Sequence, residues 1–295
     1  MEPIMDPLFK RAKYPKEDSR FLIAMIVGIP VTIAGLVLTI ASFGLILLYI
    51  AVIVFTVWFS LSIAKMHLIG NSVRVSKENF PEVLEVYHEV KSKLNYPHHV
   101  PIYIVNDGEV NALLAKFFRT RFIVLNSELA MDMVGHPEKK AQMTWVIARF
   151  IGALRAKHFR HQILKIVFES IEKIKIFNIF LLPYERATQY TGDNVGMLVT
   201  QEVAASVTAI NKLLVGNDLS KDVAFKGLID QGVHLDRNGF FSFMARCFSS
   251  HPHLVNRHLN LLAFANKEFP EQFNNYVEQF DNQTKHRLFS ILPGY

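Results

Sequence analysis

Residues 21–64 read FLIAMIVGIPVTIAGLVLTIASFGLILLYIAVIVFTVWFSLSIA, 44 consecutive positions without an Asp, Glu, Lys or Arg. As a helix rising about 1.5 Å per residue, the run would extend roughly 66 Å. A bilayer's hydrocarbon core is about 30 Å thick, so two spans fit where one is too few. The small-residue step Ser42-Phe43-Gly44 is the expected place of reversal. A secretory signal would have a much shorter apolar region with a cleavage site behind it. A buried helical hairpin in a soluble protein is the competing reading, and the length of the run weighs against it.

The flanks orient the hairpin. Lys10, Arg11, Lys13, Lys16 and Arg20 precede the first span, Lys65, Arg74 and Lys77 follow the second, and the connector carries no cation. The positive-inside rule then places both ends in the cytoplasm. The expected organisation is a cytosolic segment (1–20), a transmembrane hairpin (21–65) and a cytosolic domain (66–295).

Composition narrows the domain. With 51% hydrophobic and 20% charged residues among 295, the chain is neither disordered, collagen-like nor a coiled coil. Cys247 is the single cysteine, which excludes an intramolecular disulfide and a Cys-rich zinc site. Arg246 and Phe248 beside it supply no base for a nucleophile. The net charge of +6 comes from scattered Lys and Arg without an aromatic RNA-binding signature, so no nucleic-acid partner is expected.

Along the domain, Asn79-Phe80-Pro81-Glu82 reads as a helix start with Asn79 as N-cap, running to Asn95 with Val83, Val86, Tyr87 and Val90 on one face. Residues 101–105 and 121–125 are β-rich runs bounded by turn residues. Helices are expected over 138–158, 184–198 and 202–214. The amphipathic stretch 162–182 is too often interrupted by charge for a third span, and would lie on the membrane or cover the core. The fold class is therefore α+β and mainly helical, with a small sheet.

The order of these segments resembles the HtpX-like and CAAX-prenyl-endopeptidase-like membrane zinc metallopeptidases. Phe80-Pro81-Glu82, then residues 100–105, then Asn111-Ala112 are similar to the family's run into its "NAF" segment. Residues 122–129 are similar to its active-site strand and following helix. Residues 184–193 resemble its "YxRAxEYxAD" helix, and His251-Pro252 with Arg257 its late "HP…R" element. The resemblance implies a zincin-like domain. It also implies a peptide cleft bordered by Asn111 and Ala112 and by Phe122, Ile123, Val124 and Leu125, with an extended segment pairing along that strand's edge. A bacterial inner membrane is the location it implies.

Family chemistry needs an HExxH helix, two His at i and i+4 holding zinc and a Glu activating water. The stretch in that register is Arg149-Phe150-Ile151-Gly152-Ala153, aligned on residues 146–148, Gly152 and His158. Arg149 and Ala153 stand for the two His, Phe150 for the catalytic Glu, and Gln189 for the third ligand. A guanidinium repels a cation, a methyl offers no donor, and a phenyl moves no proton. The expectation is therefore no zinc, no other cofactor and no catalytic residue. Glu185, one turn before Gln189, finds no His pair to join even if the register slips. Asp193 matches a retained family Asp beside the metal. Arg149 is expected either to project into the old metal site toward Asp193 or Gln189, or to reach solvent.

The reading is a catalytically inactive, membrane-anchored metallopeptidase homologue. It would bind or regulate membrane-associated proteins through a kept groove, its candidate partners being the bilayer, a protein or peptide such as an active protease or a membrane protein, and a second copy of the chain. The alternative is an active zinc endopeptidase with relocated ligands, for which His158 with His161, His98-His99 and His251 with His253 are the available histidines.

Overall fold

The computed structural model describes residues 7–106, 112–117, 120–156, 158, 178–220, 222–247, 249 and 251–295. After a short helix α1 (Pro7–Ala12), α2 (Glu17–Ala41) and α3 (Leu45–Gly70) form a hairpin whose outward side chains are apolar and exposed. Both are long and apolar enough to cross a membrane. They reverse at residues 42–44, where Phe43 and Gly44 take positive φ (50° and 85°). This left-handed turn is cheap at Gly44, which lacks a Cβ, and costs more at Phe43.

β1 (Val73–Arg74) and α4 (Pro81–Lys93) follow. Val83, Val86, Tyr87 and Val90 are buried along α4, the face their spacing marks. The N-cap is Phe80 in a left-handed conformation, not Asn79, and no side chain caps the helix. The chain instead turns on Ser76, whose Oγ accepts from the amides of Glu78 and Asn79, and Pro81 presets the first helical φ.

The sheet is completed by β2 (Ile102–Val105), β3 (Ala112–Phe117) and β4 (Thr120–Asn126), in the order β1-β2-β4-β3. β4 runs parallel to β2 and antiparallel to β3, with Leu125 opposite both Ile104 and Ala112. Asn126 closes β4 and caps α5 (Ser127–Met133), its Oδ1 accepting from Glu128 N at 2.8 Å.

A 3-10 turn (Pro137–Lys139) leads into α6 (Lys140–Arg155), and α7 (Asn178–Thr200) packs against it. The expected 138–158 helix thus ends at Arg155, and the 184–198 helix is the inner part of α7. Of the amphipathic stretch 162–182, residues 162–177 lie outside the described residues. The rest comprises α8 (Val203–Val215), α9 (Asn217–Ser220), α10 (Phe225–Arg237), α11 (Gly239–Cys247), α12 (Leu254–Glu268), α13 (Pro270–Glu278) and α14 (Asn282–Ile291). The molecule is mainly helical, with a small sheet and two apolar helices near its start.

α7 is the axis of the domain, buried nearly all round from Arg186 to Val199. Its approach to α6 is set by glycines: a Cβ on Gly152 would lie 2.6 Å from Val195 Cγ1, and one on Gly196 2.7 Å from the Trp145 indole. Residues 7–20 pack on the domain. Phe9 and Ala12 belong to the core, and Asn194 of α7 donates to the Ala12 carbonyl at 2.9 Å. Tyr14 N donates to Thr191 Oγ1 at 3.0 Å, and Thr191 Oγ1 donates to Glu17 at the start of α2. The first helix of the hairpin is therefore tied to the domain before its apolar run begins.

Candidate functional site

Arg149 leaves α6 toward α7 and donates from Nη2 to Gln189 Oε1 at 3.0 Å. Its Nε lies 3.4 Å from Asp193 Oδ1. Gln189 and Asp193 are four apart on α7 and so share a face. The guanidinium carbon sits 5.4 Å from the Trp145 ring centroid and 5.1 Å from that of Phe150, which flank the cation with aromatic surface. Phe150 is buried and Ala153 only partly so.

Asp193, fully buried, has a second and stronger partner. Arg257 of α12 grips it with two prongs, Nε to Oδ2 and Nη2 to Oδ1, both at 2.8 Å. Bidentate pairing of this kind is the strongest form of an Arg–carboxylate contact. The Asp193 carbonyl accepts from Trp145 Nε1 at 3.1 Å. Three helices are thereby joined through one residue.

Two guanidiniums share one carboxylate, and the charge is uneven. Burial, together with nearby Arg257, pushes Arg149 down to about 9 against the pull of Asp193, which leaves it protonated at neutral pH. Burial also opposes the charge on Arg257, yet Asp193 outweighs it and the net shift is upward.

The side chains at this place do not suit a zinc ion. The Asp193 oxygens are taken by guanidiniums, the Gln189 oxygen accepts from Arg149, and neither Phe150 nor Ala153 carries a donor atom. A divalent cation here would also meet two positive charges. Among the described residues no group of three or more His, Cys, Asp or Glu is placed to hold a metal. Of the remaining histidines, His158 Nε2 lies 3.4 Å from Glu17 Oε1, His99 Nε2 meets Arg74, and His161 is outside the described residues.

The expected groove needs correction. β4 is an inner strand, because Ile123 to Leu125 pair with β2 on one side and Phe122 to Leu125 with β3 on the other. A peptide cannot add along residues 122–125. The outer strand on that side is β3, which begins at Ala112, while Asn111 lies outside the described residues. β3 carries no strand signal in the sequence, because Ala-Leu-Leu-Ala-Lys-Phe is as much at home in a helix as in a strand. Nor does the sequence signal the Asp193–Arg257 pair, although His251-Pro252 and Arg257 mark that region.

The family model for peptidase family M48 matches residues 141–265, which contain Arg149, Gln189, Asp193 and Arg257. The match supports a protein of the M48 metallopeptidase family. No curated protein and no solved structure matches the chain.

Proposed function

We propose that the chain is a membrane-anchored, catalytically degenerate M48 protein of HtpX-like organisation, which binds protein segments without cutting them. The observation that carries the reading is the Arg149 side chain, held between α6 and α7 by Gln189 and Asp193. In an active relative a metal joins these helices; here the contacts of Arg149 with Gln189 and Asp193 make the join. Without a bound hydroxide or a general base, peptide hydrolysis has no nucleophile.

Two further observations support the rest. Residues 7–20 pack on the domain that follows α3, which supports both ends of the hairpin lying on one side of the bilayer, and the basic flanks favour the cytoplasm as that side. β3 is the outer strand of its sheet and offers backbone groups to an extended segment, a mode of capture that needs no metal.

The test uses full-length protein in detergent, incubated with zinc and dialysed. Wild type is expected to retain no stoichiometric zinc and to leave casein intact. One zinc per chain together with chelator-sensitive cleavage would overturn the reading. For the groove, a photocrosslinking residue at Leu114 in β3 is expected to capture membrane-associated proteins, and one at Val124 in β4 to capture none.

A further inference from the structure

We infer that α11 is an interfacial helix whose exposed Phe240, Phe241 and Met244 lie in the headgroup region of the same bilayer that α2 and α3 cross. The inference rests on the membrane reading of that hairpin.

The helix has the required asymmetry. Phe240 and Phe241 are 70% and 74% exposed and Met244 is 38% exposed, whereas Ser242 on the other side is 6% exposed. Positions 240, 241 and 244 are spaced to form one strip on α11, and Arg237, the last residue of α10, precedes the helix by two residues. The two phenyl rings stand edge to face, 5.4 Å apart, and pack on each other in place of the domain. An aromatic strip flanked by a cation is the composition of a helix lying in a membrane surface.

Its position in the fold names the occupant. α2 and α7 run antiparallel: Ala12 meets Asn194, Glu17 meets Thr191, and Arg20 donates to the Pro183 carbonyl at 3.3 Å. The Phe21 and Tyr184 rings meet at a tilt of 56°, their centroids 5.2 Å apart. The level at which charge disappears from α2 is therefore the level of residues 183–184 of α7. Arg186, about 4.5 Å further along α7 by helical rise, donates to the carbonyl of Ser249, two residues beyond α11, at 2.7 Å. The chain just beyond α11 is thus held by a side chain rooted within one helical turn of that level. Phe180, on the bilayer side of that level, is also exposed.

The test keeps the full chain. In a Cys247→Ser background, Phe241→Cys carries a polarity-sensitive fluorophore in vesicles of phosphatidylcholine and phosphatidylglycerol. Phe55→Cys in α3 is the in-membrane reference. Asn274→Cys in α13 is the distant one, since neighbouring Gln272 donates to the Gln201 carbonyl at the far end of α7. The label at 241 is expected to be quenched several-fold more than that at 274 by a shallow nitroxide lipid, and to be shielded from aqueous iodide. If 241 behaves like 274 while 55 is quenched by a deep nitroxide, α11 is off the membrane and the inference fails with the hairpin intact. If 55 is unquenched, the hairpin reading fails first. If 241 is shielded from iodide without lipid quenching, the strip is covered by protein, a second copy included, and the inference is equally overturned.

Discussion

The carboxylate of Asp193 and the guanidinium of Arg257 meet edge to edge, two contacts of 2.8 Å from helices 64 positions apart in the chain, with Asp193 wholly out of solvent. The pair fixes how α12 crosses α7, and Arg149 leans on the same carboxylate from α6.

Removing one half of a buried pair strands the other half in low dielectric. Arg257→Leu is expected to lower unfolding stability by about 3–5 kcal/mol. The triple variant Arg149→Met/Asp193→Leu/Arg257→Leu should recover part of that loss, because no member of the cluster is then left charged without its partner. Denaturant titration of the full chain in micelles reads both. A loss below about 1 kcal/mol for the single variant, the scale of an exposed pair, would contradict the burial seen here.

Glycine at the α6–α7 contact is a packing requirement. In Gly196→Ala the new Cβ would fall 2.7 Å from the Trp145 indole, so the ring or the helix must move. The expected cost is about 1–3 kcal/mol, with a change in Trp145 emission in a Trp58→Phe background. Gly227→Ala in α10 meets nothing within 4 Å. That change should be neutral or stabilising by up to about 1 kcal/mol, since alanine favours helix. Equal melting temperatures for the two variants would refute the close approach.

Thr191 links the domain to the membrane hairpin. Its hydroxyl accepts from Tyr14 N at 3.0 Å and donates to the buried Glu17 carboxylate. Thr191→Val keeps the shape and removes both bonds, leaving buried polar groups without partners at a cost of about 1–3 kcal/mol. The Tyr14 amide is expected to exchange with solvent far faster in this variant, measured by hydrogen–deuterium exchange. Unchanged protection would show that the hydroxyl does not hold the junction.

His258 gives the stability a pH dependence. Its Nδ1 lies 3.1 Å from Asn211 Oδ1, its Nε2 is buried without a partner among the described residues, and burial pushes it down to about 4. The unfolded imidazole takes up a proton near pH 6.5 while the native one stays neutral, so this group erodes stability as pH falls from 6.5 to 4. Below that both states are protonated and its contribution levels off. At about 1.4 kcal/mol per unit, the fall is on the order of 3 kcal/mol. His258→Gln should flatten the stability curve across that window in circular-dichroism unfolding. A curve as steep as wild type would assign the effect to other groups.

Features written by local or near-periodic chemistry could be read directly. The 44-residue uncharged run and its break at Ser42-Phe43-Gly44 correspond to two long helices and their turn. The α4 stripe of Val83, Val86, Tyr87 and Val90 is buried as its spacing implies. Errors gathered where neighbours in space override neighbours in sequence. Asn79 has the composition of a cap, yet Ser76 organises that turn. β3 has helix-forming residues and becomes a strand because β4 lies beside it.

The candidate site divides in the same way. Residue identity alone settled that positions 149, 150, 153 and 189 carry a guanidinium, a phenyl, a methyl and an amide, since donor atoms are a property of the side chain. Whether Arg149 faced solvent or Gln189, and that Asp193 would belong chiefly to Arg257, depended on three helices meeting at glycine-set distances. That β3 and not β4 is the outer strand among the described residues likewise followed only from strand order. Charge and hydrophobicity are written residue by residue along the chain, whereas partners distant in sequence are chosen by packing.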